Sequence, residues 1–400
     1  MRKLVIMLLL VSTLILSIIP TLQVHAVGST TPSPHMEAIN GGFEKDVNLN
    51  NLPDFWEMNW RNGTSTKPFA TMAPYEPVSG KYHLRLYNGM GDATAAQYAL
   101  SNVIAVKGGN AYELKAKLRY TLPSGMAQIS IIQVDSKGNN VGELQYTYSK
   151  GAWQWVDTNN RFVVQPETVG IRIRFGVGWA EEGAYLDVDQ VELKSLNEYG
   201  TFEEDSNQNH LADFWELNWR NGISENPFSK LAPYEPVAGK YHLRLYSGEK
   251  EASSYQYTVS ESIPVISGAA YKLNAHLRYA AANGKVQMSV IQRNGKREIV
   301  DEVHYVYQND QWRWREKLEY FVVHPKATTV DIRFGVGGQE RAYLDVDNVT
   351  LSFLNATGNV KVKTYTYNEN GQLKTIRYPN GKVVTYKYDA NGNLLGKSSL

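Results

Sequence analysis

Two stretches of the chain carry the same run of oxygen-bearing side chains. Asp46, Asn48, Asn50, Asp54 and Glu57 stand at positions 1, 3, 5, 9 and 12 of a loop, and Asp205, Asn207, Asn209, Asp213 and Glu216 repeat that spacing. With the carbonyl of Leu52 or Leu211 at position 7, a loop of this kind wraps a hard cation of calcium size in oxygen ligands. Position 6, where glycine is usual, holds Asn51 and His210; both types reach the left-handed region more often than most residues. Asx-turns without any metal use the same residue types, so at this point both readings stay open.

A second doubled set suits a hydroxyl-rich ligand, which needs aromatic faces for C–H stacking and planar polar groups for hydroxyls. Trp60, Tyr75, Tyr87, Trp153 and Trp155 recur as Trp219, Tyr234, Tyr246, Trp312 and Trp314. Among polar residues Arg61, Asn62, Arg85, Arg119, Gln133 and Arg174 recur as Arg220, Asn221, Arg244, Arg278, Gln292 and Arg333. Arg85, Arg119 and Arg174 stand on the polar phase of their strands and are expected to line one sheet face together, an arrangement suited to carboxylated or densely hydroxylated glycans. The competing structural reading pairs these arginines with acids on neighbouring strands and puts the tryptophans in cores. Trp179 has Gly338 as its counterpart, so a platform there would make the two copies unequal.

Catalysis finds less support. Glu143 and Glu302 recur, as do Glu76 and Glu235, and two carboxylates at the right separation hydrolyse glycosides. Nothing in the spacing places them together, and tandem copying gains more from avidity than from a second identical active site. His83 and His242 lie in regular strands with no serine nucleophile motif nearby, and no Gly-rich phosphate loop occurs. The chain is read as non-enzymatic. Absence of cysteine removes disulfides, thiol catalysis, thiolate zinc and iron–sulfur clusters. A balance of 41 basic against 40 acidic residues gives no electrostatic reason to expect nucleic acid.

The elements that must position these residues are strands. The stretch GGFEKDVNLNNLPDFWEMNWRNG returns as GTFEEDSNQNHLADFWELNWRNG, and the offset of about 159 positions between Phe43 and Phe202 is kept from Trp56 and Trp215 through to Phe175 and Phe334. Two whole modules of ordinary domain size follow, 38–196 and 197–354. Within each, the period is two: Tyr112, Leu114, Ala116, Leu118 and Tyr120 alternate with Glu113, Lys115, Lys117 and Arg119, the pattern of a strand with one buried face. No helical stripe stands out, so the fold class is all-β, two tandem jelly-roll β-sandwiches.

At the front, Arg2 and Lys3 precede an apolar run from Leu4 to Ile19 and a Val24-His25-Ala26 end with small residues. This reads as a signal peptide, 1–26, too short for a membrane span, and a Ser/Thr/Pro linker fills 27–37. The expectation is a secreted, extracellular or cell-wall-associated monomer with no membrane span in the mature chain. The tail, 355–400, differs: from Ala356 onward seven Lys/Arg face two Asp/Glu. Its Asn-Gly pairs at 370–371, 380–381 and 391–392 suit type I′ hairpin turns, giving a short C-terminal β-meander.

The residues also carry resemblances. Asn40-Gly-Gly-Phe43-Glu44, Ser79-Gly-Lys-Tyr-His-Leu-Arg-Leu86, Ala111-Tyr-Glu-Leu114 and Tyr185-Leu-Asp-Val-Asp189-Gln-Val-Glu-Leu193, with their second-copy counterparts, resemble the galactose-binding-like jelly rolls, especially carbohydrate-binding modules of the families four, nine and twenty-two type. The resemblance covers both modules and implies a polysaccharide or cell-wall glycan as partner. It also implies a structural calcium tying the chain ends through Glu44 and Asp189, or Glu203 and Asp347. The usual closing acidic pair is here Asp189-Gln190 and Asp347-Asn348. The Asp46 and Asp205 loops resemble the Asp/Asn-rich loops of EF-hand-like and thrombospondin-type repeats. Tyr367-Asn-Glu-Asn-Gly371-Gln-Leu373 and Tyr388-Asp-Ala-Asn-Gly392-Asn-Leu394 resemble the RHS or YD-repeat family. That resemblance implies an alternative, a cell-surface or toxin-associated protein in which the modules are spacers; an accessory region of a glycoside hydrolase is a second.

Overall fold

The computed structural model describes residues 39–61, 70–88, 96–122, 124–149, 151, 153–178, 183–197, 199–218, 229–248, 255–281, 283–308, 312–339, 341–354, 364–367, 372–377 and 383–399. The signal segment, the linker, Asn62, Trp179, Trp219, Arg220 and Asn221 lie outside them. Every regular element among the described residues is a strand, and no described helix is long and apolar enough to cross a membrane.

The first module contains β1 (Trp56–Arg61), β2 (Ala70–Ala73), β3 (His83–Asn88), β4 (Ala96–Ser101), β5 (Ile104–Ala105), β6 (Ala111–Thr121), β7 (Met126–Val134), β8 (Asn140–Tyr148), β9 (Val156–Val163), β10 (Gly170–Gly178) and β11 (Ala184–Ser195). They form two antiparallel sheets, β1-β4-β10-β7-β8 with β5 beside β10, and β2-β3-β11-β6-β9. The chain therefore crosses repeatedly between the two layers, with β2–β3, β4–β5 and β7–β8 staying in one layer each, as in jelly-roll winding.

Alternation explains the layers. On β10, Ile171, Ile173, Phe175 and Val177 are fully buried and meet Leu114, Leu118 and Leu186 of the other sheet in one apolar cluster. Trp56 packs into the same cluster, its ring 5.4 Å from both Phe43 and Phe175, and its Nε1 donates to the Ile39 carbonyl. The module's first residues are thus held against its centre.

The second module repeats this with β12 (Trp215–Leu217), β13 (Ser229–Ala232), β14 (His242–Ser247), β15 (Tyr255–Ser260), β16 (Ile263–Pro264), β17 (Ala270–Ala280), β18 (Lys285–Arg293), β19 (Ile299–Tyr307), β20 (Arg315–Val322), β21 (Thr329–Gly337) and β22 (Ala342–Leu354). Its sheets, β12-β15-β21-β18-β19 and β13-β14-β22-β17-β20, have the order of the first module strand for strand. Its core is a separate cluster centred on Leu273, Leu277, Phe334 and Leu344. The tail forms β23 (Thr364–Tyr367), β24 (Leu373–Arg377), β25 (Val383–Tyr388) and β26 (Leu394–Ser399), a four-stranded antiparallel meander.

Candidate functional site

The sheet β1-β4-β10-β7-β8 has a face turned away from the core. Since Ile173, Phe175 and Val177 point inward, Arg172, Arg174, Gly176 and Gly178 point out. Register aligns the outer side chains in rows: Asn59, Tyr98, Gly176, Gln128 and Thr147 in one, Leu100, Arg174, Ser130 and Gln145 in the next. Gly176 leaves the floor open and lets Tyr98 lie across it; a Cβ there would stand 2.6 Å from the Tyr98 ring. Arg174 covers that ring at 4.5 Å from its centroid, donates to Ser130 Oγ at 3.2 Å and is ion-paired with Glu143. Gln145 also donates to Glu143, at 2.7 Å.

Not every group in these rows is paired. Arg174 Nε and Gln128 Oε1 are buried and have no hydrogen-bond partner among the described residues. A buried polar atom left so costs about 1–3 kcal/mol, and native structures seldom leave one without a reason. The second module keeps the arrangement: Tyr257 beneath Arg333 at 4.5 Å, Arg333 ion-paired with Glu302, Arg333 Nε again unpaired, and a Cβ on Gly335 only 2.3 Å from Tyr257. It also departs: Tyr255 replaces Ala96 and stacks on Tyr257 at 5.9 Å, and His304 replaces Gln145, 3.0 Å from Ser289 Oγ.

The other sheet places the remaining arginines, which corrects the expectation of three on one face. Arg85 and Arg119 share the outer face of β2-β3-β11-β6-β9, whereas Arg174 stands on the opposite sheet. Arg85 grips fully buried Asp187 through two hydrogen bonds of 2.7 and 2.8 Å. Arg119 donates to the same carboxylate, to Glu76 and to the Tyr75 carbonyl. His83 Nε2 lies 3.2 Å from Asp187 without the alignment of a hydrogen bond. Burial alone would raise the Asp187 pKa, but Arg85 and His83 hold it at about 2. Arg119 is wedged between Trp153 and Trp155, 4.7 Å from each ring, and Trp155 Nε1 donates to the Glu76 carbonyl. Arg244, Arg278, Asp345, His242, Trp312 and Trp314 repeat the cluster. These arginines are internally satisfied keystones that pin loops to the sheet, as the competing reading anticipated.

Gln133 and Gln292 are also internal: Gln133 Oε1 accepts from Gln165 N and Thr168 Oγ1, and Gln292 Oε1 accepts from His324 N. Tyr87 packs on Tyr185 and Tyr246 on Tyr343, each pair 4.7 Å apart. Trp60 and Arg61 sit on β1 opposite Gln97 and Ala96, on the sheet that carries Tyr98. Sequence reasoning passed over Tyr98, Gln128 and Ser130, because β4, which carries the first, is buried along its whole length and β7, which carries the other two, nearly so, and neither shows alternation; the signal available was their retention as Tyr257, Gln287 and Ser289.

Glu76 lies in the loop between β2 and β3 and Glu143 on β8 of the opposite sheet, each bound to its own arginine, so they do not form a carboxylate pair.

In the loop before β1, Asp46 accepts the amides of Asn50 and Asn51, Asn48 accepts from Asn50, Asn50 accepts from Leu52, and Asp54 accepts from Val47. Asp205, Asn207, Asn209 and Asp213 do the same in the second module. Leu49 and Asn51 take positive φ of 57° and 65°, as do Gln208 and His210. Glu57 is not gathered with them: it lies on β1 and pairs with Arg172 at 2.5 Å. Glu216 stands likewise on β12, exposed. Among the described residues no group of three or more His, Asp or Glu side chains is placed to hold a metal ion.

Glu44 and Asp189 meet one turn from two sides. Asp189 accepts from Val78 N and Ser79 N, and Glu44 from Lys81 N and Tyr82 N, each 2.9 Å; Gly80, at φ 68°, must be glycine because a Cβ would strike the Glu44 carboxylate. Glu203 and Asp347 repeat this. Burial pushes Asp189 up to about 6, the three backbone amides offsetting only part of the desolvation. Asp189 is thus a buried carboxylate held by backbone amides, and carboxylate oxygen is the donor type that calcium takes.

Residues 367–399 match the RHS Repeat family. No curated protein matches the chain. Among solved structures the chain is similar to the N-terminal CBM22-1–CBM22-2 tandem domain of Paenibacillus barcinonensis Xyn10C, with 10% identity over 76% of this chain and 94% of that one, TM-score 0.35. It is also similar to the CBM22-1 xylan-binding domain of the same protein, 16% identical over 38% of this chain and 91% of that one, TM-score 0.28. A third is TmCBM61 in complex with β-1,4-galactotriose, 11% identical over 40% and 95%, TM-score 0.28.

Proposed function

We propose that the chain is an extracellular, non-catalytic glycan-binding protein whose two modules each hold a polysaccharide along the outer face of the β1-β4-β10-β7-β8 sheet and its counterpart. The observation that carries this is the contrast between the two faces. Arg85 and Arg119 have their hydrogen bonds made by the protein; Arg174 and Gln128 keep buried polar atoms open beside an aromatic ring and a glycine floor. Hydroxyl-rich ligands supply both donor and acceptor to such atoms, and their C–H faces suit the half-buried ring of Tyr255 in the second module. Arg174 and Glu143 neutralise each other, which favours hydroxyl recognition over binding of a carboxylate. Glu143 has Arg174 and Gln145 around it, an arrangement for orienting hydroxyls.

Binding of the secreted chain to a panel of insoluble and soluble wall polysaccharides tests the reading. Retention that falls at least tenfold in Arg174→Ala/Arg333→Ala supports it; equal retention of parent and variant overturns it. The RHS-type tail motivates a second reading, in which the modules present a larger surface protein built on such repeats. We also propose calcium at Glu44–Asp189 and Glu203–Asp347, where it would neutralise the buried acids and clamp each module's ends.

A further inference from the structure

The two modules meet through a surface whose polar and charged contacts the duplication did not preserve. Arg161 on β9 is gripped by buried Glu113 at 2.8 Å, reaches across to Glu261 of the second module and lies 5.5 Å over the Phe214 ring. Tyr199 stacks on Phe214 at 4.3 Å and donates to Glu113 Oε2 at 3.3 Å. Asn197 accepts from Ala111 N at 2.7 Å and donates to Leu351 O at 2.7 Å. Tyr271 OH donates to Gly109 O, and the Phe353 ring lies so close to Gly109 that a Cβ there would be 2.1 Å from it. Ala111 and Leu196 of the first module even belong to the apolar cluster of the second.

At an offset of 159 positions, Glu113, Arg161 and Gly109 correspond to Lys272, Tyr320 and Gly268, and Tyr199, Phe214 and Glu261 to Asn40, Phe55 and Asn102. Gly268 keeps the positive φ of Gly109 with open space before it. The fold of the turn was inherited; the docking chemistry was built afterwards on one module only. Domains joined in tandem ordinarily move against each other unless an interface holds them. Here the interface combines a buried carboxylate, an aromatic stack and a shared core.

We propose that this surface is a lock that makes the two modules one cooperative body, holding their glycan faces at a fixed separation. Its binding consequence rests on the reading given under Proposed function: the pair gains avidity where packed polysaccharide chains present two sites at that separation. On dispersed chains a rigid pair gains less.

The test uses the full chain and needs no ligand for its first arm. Calorimetric unfolding should show one joint transition for the two modules, and Arg161→Glu, which sets three acids together, should split it into two. Glu261→Arg lies on an exposed loop of the second module and tests the same contact if Arg161→Glu fails to fold. Small-angle scattering should show the radius of gyration increase in whichever variant splits. Two independent transitions in the parent, or one unchanged transition and radius in both variants, would overturn the lock. In the second arm, titration with short oligosaccharide should be unchanged in the variant while its preference for packed over dispersed polysaccharide falls about tenfold. No binding of parent or variant to any polysaccharide removes the glycan reading and leaves the lock to be decided by the first arm.

Discussion

Asp187→Asn should cost the first module much of its stability and leave its glycan face working. The side chain is fully buried and holds the guanidiniums of Arg85 and Arg119, the latter 4% exposed. Its pKa falls from 3.8 to about 2, which by linkage corresponds to roughly 2–3 kcal/mol. A second route gives a similar figure: leaving buried charges without their partner costs roughly 3–5 kcal/mol. Asparagine keeps the shape but not the charge, so urea unfolding at neutral pH should lose about 3 kcal/mol. Spread over the joint transition of the two modules, the same loss should lower the melting temperature by about 3–6 °C. The sign with pH is fixed: a depressed acid contributes stability above its unfolded pKa and loses it as pH falls through the folded value, so parent and variant should converge between about pH 4 and 2. Oligosaccharide affinity of the folded variant should be that of the parent. A loss below 1 kcal/mol with weakened sugar binding would refute the division between structural and ligand-facing arginines.

Other expectations follow from the same geometry. Gly176→Ala drives a methyl into Tyr98 and should lower oligosaccharide affinity with a modest stability loss, about 1–3 kcal/mol by urea unfolding. Asp189 has a raised pKa of about 6, so in chelator the first module should become more stable as pH falls from 7 towards 4, by up to about 3 kcal/mol; calcium at pH 7 should give a comparable gain that Asp189→Asn abolishes. If the Asp46 loop binds calcium instead, Asp46→Asn/Asp54→Asn should remove about half of the calcium-dependent rise in the melting temperature of the joint transition, the Asp205 loop keeping the rest, and no calcium shift in the parent would leave these loops as Asx-turns.

The all-β class, the duplication and the tail were legible because they depend on local pattern: alternation on β6, a constant 159-residue offset, and Asn-Gly turns. The resemblance paired Glu44 with Asp189, and in the structure both accept amides of one turn, from Val78 to Tyr82. The faces were harder to read. Arg85, Arg119 and Arg174 have the same local alternation, but which sheet a strand joins depends on winding between layers, and β10 and β11, neighbours in sequence, go to opposite sheets. Tyr98 escaped notice because a strand in which both phases are buried has no period to read. Asp187 looked like part of a closing motif; only the tertiary fold shows it beneath two arginines from other strands. Glu113 and Arg161 appear from sequence as ordinary solvent-facing charges, and their role depends on a second module arriving beside them.

The account turns on which sheet face takes the glycan. A crystal of the chain soaked with an oligosaccharide to which it binds measures this directly. Sugar density across Tyr98, Gly176 and Arg174, with hydroxyls within hydrogen-bond distance of Arg174 Nε and Gln128 Oε1, is the result predicted. Density seated instead on Tyr75, Trp153 and Arg85, with the Tyr98 face bare, would contradict it.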